Sequence, residues 1–350
     1  MSGTKRERRY AFGGLLALAV ITAPLASPHA HAAMTAGRAQ IAKLMDLYRR
    51  PADIPAPPDN PITPAKAALG QALFFDPRLS GSGVISCASC HNPSLGWQDG
   101  LAKGVGDHGA RLARRTPTIL NLAWSTPLFW DGRAATLEDQ AKVPMAAGAE
   151  MNLPHAKVVA QVKAIPGYRA AFAAAFPGQD IDIEKIAEAI ATYERTVVSG
   201  RSRFDAWIGG DDGAISAAAQ RGFVLFNTTA QCASCHSGWR FTDDGFHDIG
   251  LAGDDPGRGG ILPKLAILDH AFKTPTLRNV ADRPPYMHDG SMRTLEEVVD
   301  HYDHGFIRRP SLADQIKPLG LSAQDRADLI AFLRTLSSHD AAVVAPTLPH

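Results

Sequence analysis

Apolar residues recur at helical spacing in several well-bounded stretches of this 350-residue chain. Thr63-Pro64 opens one: threonine can cap a helix, proline suits its first turn, and Leu69, Leu73 and Phe74 then share a face. Asp182 heads a second, with Ile183, Ile186, Ala187 and Ile190 at helical intervals. A third starts near Thr294. Ser322 with Asp325 opens the last, ahead of Leu329, Ile330, Leu333 and Leu336. These stripes are packing faces. No long run alternates apolar and polar residues, so the expected fold class is mainly α with few short strands. Pro51–Pro64 reads as a linker behind an N-terminal helix, Gly245–Gly260 as a long loop, and Ala341–His350 as a loose tail.

The first residues follow a different pattern. Lys5, Arg6, Arg8 and Arg9 precede an apolar stretch from Ala11 to Ala26, broken by Pro24, and Ala30-His31-Ala32 supplies a small-x-small site. The apolar stretch is short and interrupted for a membrane span, so residues 1–32 read as a cleaved export signal, with a retained anchor as the alternative. Arg8-Arg9 is a weak twin-arginine feature. A periplasmic protein without a stable membrane span follows. Residues 33–62 carry the N-terminal helix and linker, 63–205 a first lobe, 206–340 a second and 341–350 the tail. Formal net charge is +1, so no basic field points to nucleic acid.

Chemistry enters through the cysteines. There are four, and all lie in two copies of CASCH, at Cys87–His91 and Cys232–His236. CxxCH is the attachment pattern of c-type haem: the two thiols (Cys87 and Cys90, Cys232 and Cys235) form thioethers, and the adjacent histidine (His91, His236) is held under the iron. The copies lie 145 positions apart, far beyond the spacing of paired zinc ligands, and neither has the βαβ setting of a thioredoxin motif. Two covalent haems are therefore expected.

The duplication runs further. TPTILN at Thr116–Asn121 returns as TPTLRN at Thr274–Asn279, and DGRAATLEDQ at Asp131–Gln140 as DGSMRTLEEV at Asp289–Val298. Both pairs are offset by 158 positions, which argues for two similar cytochrome c-like haem lobes. At that offset Trp130 corresponds to His288, and Pro144 to Tyr302. Tyrosine can ligate haem iron and proline cannot. The expectation is a capped second haem, on His236 and Tyr302, and a first haem with an open face. Packing is the other reading of Tyr302, and Met287, His288, Met292, His301 and His304 are nearby rivals as ligand.

Together FFDPRLSGSGVISCASCHNP, FWDGRAATLEDQ, Glu150-Met151, ATYERT and PYMHDGSMRTLEE resemble the bacterial dihaem cytochrome c peroxidases and the related MauG-type enzymes, over roughly residues 60–338. The resemblance implies a haem in each lobe, a catalytic interface between the lobes, a peroxidatic first haem and an electron-transferring second one. Methionine ligates the second iron in many relatives. MauG-type enzymes use a tyrosine at the place of Tyr302. Trp130 matches the tryptophan between the haems, and Gln140, Pro144 and Glu150 match the peroxide pocket. Glu150 would act as general base and then acid, moving a proton from the inner to the outer peroxide oxygen. Without the resemblance it reads as a solvated helix-end charge, and interface packing is the other reading of Trp130. His108 stands where some peroxidases place a histidine that caps the first iron at rest; an exposed loop histidine is the alternative. The resemblance also implies an interlobe calcium held by an asparagine before the first TPT. This chain has Arg114-Arg115 there, which makes calcium doubtful, although carbonyls near Arg283 and Pro285 could contribute.

The expected function is a periplasmic dihaem peroxidase that uses hydrogen peroxide to oxidise a redox-protein donor or, as MauG-type enzymes do to the methylamine dehydrogenase precursor, an aromatic side chain of a partner protein. The alternative is a dihaem c-type electron-transfer cytochrome with both irons capped and no peroxidase activity.

Overall fold

The structure, a computed structural model, describes Met1 and residues 41–350. Met1 apart, the expected export signal lies outside the described residues. Among those described, no helix is long and apolar enough to cross a membrane.

The first lobe holds α1 (Pro64–Phe75), a helical turn at Cys87–Cys90, α2 (Leu137–Ala146), α3 (His155–Ala164), α4 (Pro166–Ala175) and α5 (Ile183–Thr196). The second holds α6 (Arg203–Ile208), α7 (Ala217–Asn227), α8 (Leu295–Asp300) and α9 (Ala323–Leu333). Caps set their starts. Thr63 accepts from the Lys66 amide at 3.2 Å and Asp182 from the Lys185 amide at 2.8 Å, while Ser322 and Asp325 satisfy each other's backbone amides. The only named strands among the described residues, β1 (Phe246–His247) and β2 (Phe272–Lys273), pair antiparallel, so β1 interrupts the stretch expected to be a plain loop.

Each lobe crosses its early and late long helices at a glycine. A Cβ on Gly70 of α1 would lie 1.9 Å from the Ala189 carbonyl oxygen of α5, and one on Gly222 of α7 would lie 2.0 Å from that of Asp328 in α9. Only a residue without a side chain allows such approach. Around the first crossing pack Leu73, Phe74, Met145, Val158, Tyr168 and Ile186. The second core is aromatic: Phe204, Phe223, Phe226, Phe241 and Phe332 meet at ring separations from 5.2 Å to 6.0 Å. Such contacts add about 0.5–1.5 kcal/mol per pair beyond burial itself.

The chain ends cross over. Tyr48, before the linker, packs on Phe204, Phe223 and Phe241 of the second lobe, and its hydroxyl donates to Asn227 at 2.7 Å. The expected loose tail is instead tied to the first lobe at its end. The Gly167 amide, unpaired in the first turn of α4, donates to the His350 carbonyl at 2.7 Å, and Arg78 donates to that of Pro349 at 3.0 Å.

The duplication is legible in the backbone. Leu128 bridges Ala134, and at the 158-residue offset Tyr286 bridges Met292. Asn121 and Asn279, Phe129 and Met287, and Gly132 and Gly290 are left-handed pairs. Across the interface the Arg115 amide donates to the His288 carbonyl at 2.7 Å, and its counterpart Lys273 donates to Trp130 at 2.8 Å. These reciprocal bonds give the lobes an approximate twofold relation. The Trp130 and His288 rings meet on it, 6.5 Å apart.

Candidate functional site

Two cavities flank that meeting point. The first, about 770 Å³, is lined by Cys87, Cys90 and His91, and the second, about 190 Å³, by Cys232, Cys235 and His236. In both, the histidine is oriented by a backbone carbonyl. His91 Nδ1 lies 3.3 Å from the Trp97 oxygen and His236 Nδ1 2.9 Å from that of Phe241. A ring that donates through Nδ1 keeps its Nε2 lone pair for a metal. Burial pushes both imidazoles below their usual range, which holds them neutral as ligation requires. Burial also pushes the thiols of Cys87, Cys90 and Cys232 up, so they are poor thiolate ligands and suit carbon–sulfur attachment.

The wall between the cavities supports an anionic cofactor edge. Arg115 and Arg283 line both spaces. Burial lowers them to about 10 and about 9, and neither forms an ion pair among the described residues. Arg115 Nε is buried with no partner at all. Carboxylates carried at a haem's edge would answer these orphaned cations. Cys235, Asp243 and His247 also cluster within 4.8 Å, but thioether formation takes the sulfur out of that set. What remains is an ion pair, 2.8 Å long, in which Asp243 holds His247 above its usual range.

On the first cavity, Gln140 and Pro144 occupy successive turns of one face of α2. Pro144 has no amide hydrogen to give the Gln140 carbonyl. Glu150 sits on the loop beyond, its backbone held by the Ala147 carbonyl at 3.0 Å and the Asp107 amide at 2.7 Å. Close approach of Gly106, whose Cβ would lie 1.9 Å from the Ala149 oxygen, brings that loop in. Burial raises the Glu150 carboxyl above the usual range, against the opposing pull of Arg133. His108 is elsewhere. Its side chain is 72% exposed beside Asp107, in a left-handed turn, and it does not line the cavity. The turn aims the ring at solvent, away from the cavity.

Trp130 lines both cavities, is 7% exposed, and donates from Nε1 to the Arg115 carbonyl at 2.8 Å. Tyr302 lines the second cavity with Cys232 and Cys235, and burial pushes its phenol well up. A π-helical turn, His301–Gly305, continues α8 and carries it. Such turns re-aim side chains and recur at functional sites. Among the rivals, His301 is engaged with the Ile249 carbonyl, His304 is 65% exposed, and Met292 is not a lining residue. Met287 and His288 do line the space, with His288 stacked on Phe272 at 3.5 Å.

Residues 64–213 match the di-haem cytochrome c peroxidase family, and residues 219–337 the cytochrome c family. The chain is 52% identical to the methylamine utilization protein MauG of Methylorubrum extorquens, over 91% of this chain and 92% of that one. This chain belongs to the MauG-like dihaem peroxidase family. The MauG of Methylophilus methylotrophus is 47% identical over 87% of this chain and 92% of its own length. The crystal structure of a MauG-like protein associated with microbial copper homeostasis superposes with a TM-score of 0.76 at 34% identity, covering 82% of this chain and 94% of that one. The MauG-like chain is thus an oxidoreductase, a dihaem c-type peroxidase with two covalent c haems, taking hydrogen peroxide and working with a protein partner.

Two features of this MauG-like chain stand apart. The interlobe calcium does not fit: Arg115 donates its guanidinium to the Arg283 carbonyl at 2.7 Å and to Gln98, and Gln98 donates to Pro284 at 3.0 Å. A fixed cation already holds the Arg283 carbonyl, one of those a metal would use. The second feature is Glu194, in the quoted ATYERT, which lines the first cavity at 4% exposure and escaped the motif reading. Its signal was an acid continuing the apolar stripe one turn beyond Ile190.

Proposed function

We propose that this protein works in the periplasm as a peroxide-driven oxidase of a partner protein's aromatic side chain, with Gln140, Pro144 and Glu150 serving the first haem and Tyr302 capping the second. One observation carries the reading: positions related by the duplication, Pro144 and Tyr302, each line their own cavity, one unable to bind iron and the other able. A c-type haem with an open face supplies peroxide binding and the uptake of two oxidising equivalents. Glu150, whose carboxyl burial raises, would in its ionised form take the proton from the inner peroxide oxygen and return it to the outer one. Gln140 and Pro144 shape the space and keep water and rival ligands from it. Tyr302 would have to give up its proton to hold the second iron as a phenolate. Trp130, buried between the cavities, would be the relay between them. The likeness to MauG relatives named for methylamine utilization supports a protein partner.

The electron-carrier alternative needs a protein cap on the first haem, and His108, the candidate for it, faces solvent. The test is one equivalent of peroxide added to the ferric holoprotein, followed by iron spectroscopy. Both centres should become oxidised in the natural protein and only the first in Tyr302→Met. Two unreactive low-spin haems, or an unchanged second-haem spectrum in Tyr302→Met, would overturn the assignment.

A further inference from the structure

The overall reaction sets a requirement that Glu150 does not meet. Reducing peroxide follows H₂O₂ + 2 H⁺ + 2 e⁻ → 2 H₂O, with the electrons drawn from the partner protein. The first water leaves with both peroxide protons, and Glu150 ends as it began. The remaining oxygen needs two protons with its two electrons to leave as the second water. Those protons must be delivered into the cavity, one wall of which is the buried Glu194.

Glu194 stands where such a proton could be kept. It lies on α5 one turn beyond Ile190, and both line the first cavity, in company with Gln140 and Pro144 of α2, which packs on α5. Its Oε2 is buried with no hydrogen-bond partner. Position 194 continues the packing stripe of Ile183, Ile186 and Ile190, where an apolar residue would cost nothing to bury. The charged groups around it are Arg195 on its own helix and Glu138 of α2, while Glu150 shares the cavity. Lys66 of α1, another helix against α5, faces Asn60 and Glu188 instead. Arg195 is already committed to Glu138 at 2.8 Å, and Glu138, 17% exposed, also accepts from Asn60 at 2.7 Å. Of the groups whose charges act on Glu194, Glu138 keeps part of its side chain at the surface.

We infer that Glu194 is the proton reservoir of the peroxide cavity, giving up its carboxyl proton to the oxygen left after O–O cleavage and regaining one from solvent past Glu138. Burial, against the opposing pull of Arg195 and with a smaller push from Glu138, raises the carboxyl to about 8, so it is protonated at neutral pH and available as an acid.

The inference rests on the peroxidase reading, and the experiment separates the two. Stopped-flow mixing of holoenzyme with peroxide reads the first step; subsequent mixing with a reductant reads the return to the resting state. In Glu194→Gln the first step should stay within about twofold, and the return should slow on the order of 10²-fold. In the natural enzyme the return should fall as pH rises through about 8, with a solvent isotope effect, and Glu194→Gln should lose both. Glu194→Asp, which keeps an acid, should restore most of the rate. An unaltered return and pH profile in Glu194→Gln, or slowing of the first step itself, would overturn the reservoir. Should Glu194→Gln fail to bind haem, the isotope effect and pH profile of the natural enzyme decide: their absence overturns the inference. A natural enzyme inert to peroxide would instead overturn the underlying reading.

Discussion

Replacing Glu150 with Gln keeps the shape of the side chain and removes its ability to accept a proton. General acid–base catalysis contributes about 10²- to 10⁴-fold, so the second-order rate with peroxide should fall by that factor, equivalent to roughly 2.7–5.4 kcal/mol. The pH dependence gives a sharper test. Burial raises the Glu150 carboxyl, and only its ionised form is a base, so the rate should decline on the acid side with a midpoint above the ordinary carboxylate value of 4.5. Arg133 opposes that rise. Arg133→Gln should therefore move the midpoint to higher pH in the natural background. It should do nothing to the profile of Glu150→Gln, which has no such limb. Stopped-flow rates across pH on haem-replete protein measure both quantities. A Glu150→Gln enzyme within threefold of the natural rate, or one retaining the acid limb, would remove Glu150 from the chemistry.

Two further outcomes test the frame around the cavities. Gly222→Ala would place a methyl 2.0 Å from the Asp328 oxygen and 2.8 Å from Phe332 Cβ, forcing α7 and α9 apart. A loss of about 1–3 kcal/mol in denaturant unfolding is expected, and an unchanged midpoint would show that the crossing is not tight. Because Arg115 holds the Arg283 carbonyl, purified protein should contain no stoichiometric calcium and keep its peroxidase rate in EGTA; one tightly bound calcium per chain would contradict that reading.

The structure also bears on how far local sequence reaches. Helix starts at Thr63, Asp182 and Ser322 were readable because a cap is a short-range bond between a side chain and an amide three positions on. The haem attachment sites were readable for the same reason, since CxxCH confines its chemistry to five neighbours. The 158-residue register made the inequivalence of Pro144 and Tyr302 visible before any coordinates. The tail was misjudged because its partners, Gly167 and Arg78, are more than 180 residues away in sequence.

Sequence by itself therefore determined the covalent chemistry, the duplication, and which positions in the two halves differ in kind. Only the tertiary structure decided which of them share a cavity. It turned His108 to solvent, set Trp130 against His288 where the halves meet, and placed Arg115 on the carbonyl of Arg283. It also raised Glu194 from a charge in a helix to a buried acid without a partner. The reason is physical: ligand spacing is local, but desolvation and encounter depend on what the rest of the chain brings alongside.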